Sequence, residues 1–132
     1  MDDKIASDRY ANGLSTRREV LGEQWVENAM AGATEFNQPI QDLLNEYCWG
    51  YVWTRNGLSR KVRSLLNIAM LAGSGAANEL KGHVRGALRN GASPDEIAET
   101  LLQVAVYRGV PSAVDGFRLA AEAIAQHQAS DD

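Results

Sequence analysis

A glutamate and a histidine lie four residues apart in the segment NELKGHVRGALRNG, at Glu79 and His83. Residues i and i+4 of an α-helix share one face, so this spacing predicts a carboxylate beside an imidazole. Histidine has an ordinary pKa close to neutrality, and a neighbouring carboxylate can orient its ring and fix its tautomer. The pair is therefore a candidate for acid–base chemistry, although such pairs are also common as solvated surface contacts.

Cationic side chains are concentrated between residues 55 and 89, in a chain whose formal net charge is −4. They are Arg55, Arg60, Lys61, Arg63, Arg85 and Arg89. This concentration indicates an anionic ligand, because the planar guanidinium group donates two parallel hydrogen bonds to a carboxylate. The competing interpretation is a solvated charge on a helix face, and for any single arginine it is the better one.

Aromatic residues are grouped in the run Tyr47, Trp49, Tyr51 and Trp53. One interpretation is a pocket wall over a flat ligand, and the other is packing in a core or between subunits. The two weigh about equally for Trp49 and Trp53. Cys48, in the same run, is more typical of a small buried residue than of a nucleophile.

Helices are the elements that would position these residues, because helix-capping signals recur and apolar residues follow them at helical spacing. The clearest start is Ser93-Pro94-Asp95-Glu96, which combines an N-cap, a first-turn proline and a capping-box glutamate. No segment alternates like a strand, so we predict an all-α fold of about six helices. Residues 1–13 are predicted to be a flexible arm, 14–128 one helical domain with a loop over 51–58, and 129–132 a disordered tail.

Composition narrows the class of protein. A chain of 132 residues with 45% hydrophobic and 23% charged residues is typical of one globular domain. Its acidic balance argues against nucleic acid or an anionic membrane as partner. The polar start MDDKIASDRY lacks the apolar stretch of a signal peptide, and no apolar run could span a bilayer. A single cysteine excludes an internal disulfide, so we expect a cytoplasmic protein.

Three motifs in order, W-G-x-x-W-T-R-x-G-L, E-L-x-x-H-x-R-G-A-L-x-N-G and Y-x-G-V-P, give the chain a family resemblance. From about Arg18 onward the sequence resembles the carboxymuconolactone decarboxylase family. The resemblance implies an alkylhydroperoxidase D-like helical fold that assembles as a homo-oligomer, either a trimer or a hexamer. It implies decarboxylation of 4-carboxymuconolactone, or a closely related carboxylactone, to the enol-lactone and CO2 in the β-ketoadipate pathway. No cofactor and no metal are expected.

The resemblance also implies roles for particular residues. It places Glu79 and His83 at the active site, where His83 would deliver a proton or hydrogen-bond the oxyanion and Glu79 would orient the ring. Arg55 or Arg63 would hold a carboxylate of the substrate. The residues predicted to exclude water are Trp49, Tyr51 and Tyr107.

Two other functions stay open at this point. Peroxidase relatives carry a CxxC motif before the histidine, and here those two positions are Ala76 and Glu79, which disfavours disulfide-based peroxide chemistry. Departures from the family pattern at Tyr51, Ala77 and Arg108 leave open a member without decarboxylase activity. Such a protein would bind a small molecule or act in assembly.

Overall fold

The computed structural model describes residues 3–130, and this part of the chain is helical throughout, without a β-strand. The elements are α1 (Asp3–Leu21), α2 (Glu23–Ala31), α3 (Gln38–Leu43), a π-helical segment (Leu44–Val52), α4 (Arg60–Leu71), α5 (Ala77–Arg89), α6 (Pro94–Tyr107) and α7 (Val110–Ala129). The all-α prediction is confirmed, although about six helices were expected. Between residues 3 and 130, every helix is too short or too polar to cross a membrane.

The chain divides between Leu58 and Ser59 into two compact units, here called the N-terminal unit and the C-terminal unit. The sequence predicted one domain over 14–128, whereas each unit has its own cluster of buried apolar residues. The predicted tail over 129–132 begins where α7 ends, at Ala129. Asp131 and Asp132 lie outside the described residues, as do Met1 and Asp2.

In the N-terminal unit, α1 packs along the π-helical segment. The two backbones approach closely at Gly13, where a Cβ atom would overlap the carbonyl oxygen of Asn45 and the backbone of Gly50. The sequence predicted a flexible arm over 1–13, yet residues 3–13 are helical. The sequence of α1 has little apolar periodicity. Its helix is stabilised by contacts with a distant segment of the chain, which a local pattern does not show.

Glycine also explains where α1 ends. Gly22 separates α1 from α2 and has a φ of 96°. Only glycine adopts this region of backbone conformation without steric cost. The predicted loop over 51–58 starts later than expected, because the π-helical segment runs through Val52.

The C-terminal unit consists of α4 to α7, with α5 packed against α4 and α7, and α6 packed against the same two helices. Its fully buried side chains include Ile68, Leu80, Val84, Ile97 and Leu101. Burying one such side chain stabilises a fold by roughly 1.5–3 kcal/mol. The predicted capping box is present: the Ser93 hydroxyl accepts from the Glu96 backbone, and the Glu96 carboxylate accepts from the Ser93 backbone.

Candidate active site

His83 lies in the middle of α5, on a helix whose inward face carries Leu80, Val84 and Ala87. The imidazole is half-buried, and this burial lowers the pKa of His83 from 6.5 to about 4. The cause is desolvation, since a charged ring loses its hydration while a neutral ring loses little. At neutral pH the ring is therefore uncharged, and it has one nitrogen that donates and one that accepts.

One partner of the ring comes from α4, where Asn67 Nδ2 lies 3.4 Å from His83 Nδ1. An amide nitrogen only donates hydrogen bonds, so Nδ1 accepts in this contact when the tautomer leaves it without a proton. Sequence analysis missed Asn67. The signal was present, because Asn67 is the polar residue within the apolar run LLNIAML, and helix interiors disfavour asparagine unless it has another use.

Glu79 shares α5 with His83, as its spacing predicted. Its side chain is exposed, and among residues 3–130 no hydrogen bond or ion pair joins it to the ring. The physical reason is its place in the first turn of α5, where a carboxylate is stabilised both by water and by the helix dipole. The predicted contact is therefore not formed in this structure. The assignment of Glu79 to the site stays a prediction.

Arg63 lies on the same helix as Asn67. It lies four residues earlier on α4, so the two side chains share a helix face. Arg63 is half-buried, its Nε is buried without a hydrogen-bond partner, and it makes no ion pair with the residues that the structure describes. Arg55, the other candidate, is exposed in the N-terminal unit and lies over the Tyr51 ring at 5.3 Å.

The predicted aromatic residues occupy different environments. Trp49 is only 3% exposed in the core of the N-terminal unit, where it stacks on Trp53 with ring centroids 4.6 Å apart. Tyr51 is half exposed, and the guanidinium of Arg9 lies 5.6 Å from its ring centroid. Packing therefore accounts for Trp49 and Trp53. The predicted water-excluding roles of Trp49 and Tyr51 stay predictions.

Tyr107, at the end of α6, is 83% exposed and belongs to an open groove of about 370 Å³ in the C-terminal unit. The groove is lined by Ala69, Met70, Gln103, Val104, Tyr107 and Arg108. His83 and Arg63 do not line this groove. Its position gives no direct support to the predicted role of Tyr107 beside the histidine, and that role also stays a prediction.

Neither Cys48 nor a cluster of metal ligands offers a second reactive centre among residues 3–130. Burial raises the pKa of the Cys48 thiol, opposed by the charge of Arg17. A thiol with a raised pKa is protonated at neutral pH and is a poor nucleophile. From residue 3 to residue 130, no three side chains of histidine, cysteine, aspartate or glutamate converge as a metal ion would require.

Comparisons with known proteins agree that the chain is similar to decarboxylases. A sequence model of the carboxymuconolactone decarboxylase family matches residues 38–122, a range that contains His83, Asn67 and Arg63. The chain is 44% identical over 114 residues to nitrosuccinic acid decarboxylase of Metarhizium robertsii. The aligned region covers 86% of this chain and 80% of that protein. It is 40% identical over 114 residues to 4-carboxymuconolactone decarboxylase of Acinetobacter baylyi. Here the aligned region covers 86% of this chain and 85% of that protein.

Proposed function

The chain belongs to the carboxymuconolactone decarboxylase family and is a carboxy-lyase, and we propose that it converts 4-carboxymuconolactone, or a closely related carboxylactone, to the enol-lactone and CO2. One observation carries the assignment of the site: a neutral histidine ring held by Asn67, with the half-buried Arg63 on the same face of α4. This arrangement offers a hydrogen-bond donor and a cation to a carboxylated substrate.

The reaction breaks the bond between a ring carbon of the lactone and its carboxylate. The electron pair of that bond moves through the ring alkene onto the lactone carbonyl oxygen, and CO2 leaves. The resulting anion then takes up one proton on carbon from solvent to give the enol-lactone. The lactone accepts the electron pair itself, so the protein has to bind the substrate, stabilise the oxyanion and exclude competing reactions.

His83 is assigned to the oxyanion. A ring that is neutral at pH 7 cannot supply an imidazolium proton, but it donates one N–H hydrogen bond without bringing a charge into the site. Hydrogen bonds of this kind strengthen as negative charge develops on the acceptor, which is how they lower a barrier. Sequence analysis left proton delivery and oxyanion binding open for His83, and the lowered pKa favours oxyanion binding.

Arg63 is assigned to the carboxylate that the product retains. A half-buried guanidinium holds a carboxylate by two parallel hydrogen bonds, and Arg63 has no ion-pair partner within the described chain to compete for it. The binding energy of this group fixes the orientation of the ring without taking part in bond breaking. Arg63 is therefore preferred to Arg55, whose guanidinium lies over Tyr51.

Nitrosuccinate is the second candidate substrate, because the chain is 44% identical to the nitrosuccinic acid decarboxylase and 40% identical to the lactone decarboxylase. When nitrosuccinate loses CO2 from the carbon that carries the nitro group, the electron pair moves onto the nitro oxygens. Both substrates thus combine a carboxylate that leaves, an oxygen acceptor for the electron pair and a second carboxylate that stays. Residues that bind an oxyanion and a carboxylate suit either compound.

The test is turnover of the two compounds by the purified protein. Freshly prepared 4-carboxymuconolactone is followed by ultraviolet absorbance and CO2 release, and nitrosuccinate is assayed in parallel. We expect CO2 release from the lactone, at a higher kcat/KM than from nitrosuccinate. A preference for nitrosuccinate would replace the proposed substrate, and a folded protein that releases CO2 from neither compound would refute both candidates.

The oligomer implied by the family resemblance is also proposed here. Several apolar side chains of the C-terminal unit are exposed, among them Met70 at 64%, Val106 at 79% and Tyr107 at 83%. Apolar groups at this exposure are typical of surfaces that another chain covers. Light scattering on the eluting protein should give the mass of three or six chains. A monomer at micromolar concentration would contradict the proposal.

A further inference from the structure

We infer that Asn67 is a positioning residue that holds His83 in the tautomer with its proton on Nε2, so that Nε2 is the atom that faces the substrate. The catalytic consequence rests on the proposed function, whereas the tautomer is a property of the free protein. Neither the sequence motifs nor the comparisons assign any role to Asn67.

The geometry of the contact determines the direction of the hydrogen bond. Asn67 Nδ2 carries two hydrogens and no lone pair for a hydrogen bond, and it lies 3.4 Å from His83 Nδ1. If the ring carried its proton on Nδ1, two N–H groups would point at each other. The contact is favourable only when Nδ1 is unprotonated, which leaves the proton of the neutral ring on Nε2.

Burial restricts the ring to its neutral forms. The half-buried position of His83 disfavours the imidazolium, in which both nitrogens would carry protons and neither could accept from Asn67. Two neutral tautomers remain, and a single hydrogen bond from a fixed donor is enough to select between them. Asn67 therefore selects the tautomer, since burial already disfavours the charged ring.

A second contact fixes the donor in place. Asn90, at the end of α5, donates from Nδ2 to Ser64 Oγ at 3.0 Å, one helical turn before Asn67. Ser64 is fully buried, so this hydrogen bond sets the register of α4 against α5 inside the C-terminal unit. Asn67 and His83 face each other across the same pair of helices. Their contact is thus part of a fixed interface rather than a chance meeting of two surface side chains.

Glu79 would have the opposite effect on the ring. A carboxylate has no proton at neutral pH and accepts only, so at Nδ1 it would require the Nδ1–H tautomer. The structure has an exposed Glu79 and a contact from Asn67 instead. Asn67 and Glu79 as partners of Nδ1 therefore predict opposite tautomers, and this makes the inference testable without any substrate.

The test is 15N nuclear magnetic resonance of the imidazole nitrogens of the whole protein near pH 7. The chain has two histidines, so the signals of His83 are assigned with a His127→Gln variant. We expect a protonated Nε2 and an unprotonated Nδ1. In Asn67→Asp, where the side chain accepts, the proton should move to Nδ1, and in the nearly isosteric Asn67→Leu the preference should be lost. Nδ1–H in the parent protein, or unchanged shifts in both variants, would overturn the inference.

Kinetics then test whether the tautomer matters for catalysis. We expect Asn67→Asp to lower kcat by roughly 100-fold, as loss of one oxyanion donor does elsewhere, with little change in KM. The control is Asn78→Asp, which places the same new charge at an exposed position on α5 and should keep the parent kcat. A proton that moves to Nδ1 without a loss of kcat would refute the assignment of Nε2 to the substrate. If the parent protein decarboxylates neither compound, the proposed function fails while the resonance result still decides the tautomer.

Discussion

Arg17 in the N-terminal unit and His83 in the C-terminal unit are both basic side chains withdrawn from water, yet they differ in charge at neutral pH. Burial lowers the pKa of each group. For His83 the pKa falls to about 4, so the ring is uncharged at neutral pH. Arginine starts from a value so high that Arg17 keeps its charge in spite of the same effect.

Arg17 is only 5% exposed and has no carboxylate partner among the residues that the structure describes. Its Nη1 donates to the side-chain oxygens of Gln41 and Asn45, each at 2.9 Å, and lies 3.9 Å from the sulfur of Met30. Asn45 itself is fully buried and donates to the Tyr10 hydroxyl at 3.2 Å. The buried charge thus depends on neutral oxygens from α3 and the π-helical segment.

The comparison separates structural from chemical uses of a buried base. A group that cannot lose its charge must be given acceptors, and it then links the elements that supply them. A group that can lose its charge needs only one hydrogen bond, and its second nitrogen keeps a hydrogen-bonding function suited to chemistry. On this view Arg17 holds the N-terminal unit together, whereas His83 has the role in catalysis that we propose for it.

The largest effect is expected from His83→Gln. Glutamine keeps a polar side chain of similar size but not the geometry of the ring, so kcat should fall by roughly 10²–10⁴-fold while the free energy of unfolding changes little. Steady-state kinetics and urea unfolding of the same preparation measure the two quantities. Glu79→Gln is the matched control, since an exposed carboxylate without contact to the ring should matter less. Equal losses in both variants would restore Glu79 as the partner of His83.

Arg17→Met should show the reverse pattern, with the loss in stability. The substitution keeps much of the apolar stem but removes two charge-assisted hydrogen bonds and leaves the buried oxygen of Asn45 without this donor. We expect the free energy of unfolding to fall by roughly 3 kcal/mol. The control is Arg118→Met, whose side chain is 60% exposed and whose ion pairs are screened by solvent, so its loss should be much smaller. A similar small loss at both positions would mean that the Arg17 contacts are not structural.

Acid should destabilise the protein through His83 and leave Arg17 unaffected. His83 binds a proton with a pKa of about 4 when folded and about 6.5 when unfolded. The unfolded state binds more protons between these values, so stability is full above pH 6.5 and falls as the pH drops from 6.5 to 4. The loss from this group amounts to roughly 2–3 kcal/mol.

Urea unfolding at pH 7 and at about pH 4.5 measures this loss, with His83→Gln as the reference that cannot titrate. The parent should lose more stability than the glutamine variant on acidification, and Arg17→Met should lose as much as the parent. If the parent and His83→Gln respond equally to acid, His83 does not hold a lowered pKa, and the contrast with Arg17 disappears.

How far the sequence predicted these features depends on how local each one is. The Ser93 cap, the helical setting of His83 and the all-α class follow from neighbouring residues, and the structure confirms them. The contact between Asn67 and His83 joins residues 16 apart on different helices, so no local pattern encodes it. Spacing within one helix pointed instead to Glu79, because it fixes which residues share a face but not whether their side chains meet.

The same limit explains the N-terminal unit. Sequence analysis did not single out Arg17, since its acceptors come from residues 24 and 28 positions away. The sequence predicted that Gly13 ends a flexible arm. In the structure, Gly13 lets α1 approach the π-helical segment. The structural roles of Gly13 and Arg17 both depend on the element that packs against them. Periodicity along one segment carries no information about that element.

The smallest effect is expected from Ser64→Ala, which tests a buried polar contact without any charge. Ser64 is fully buried and accepts from Asn90 at 3.0 Å, while Asn90 also approaches the Arg60 carbonyl at 3.4 Å. Because both partners are neutral and Asn90 keeps a second acceptor, the free energy of unfolding should fall by only about 1 kcal/mol. Urea unfolding beside Arg17→Met gives the comparison directly. A loss as large as that of Arg17→Met would show that burial alone, and not the retained charge, makes a polar contact costly to remove in this fold.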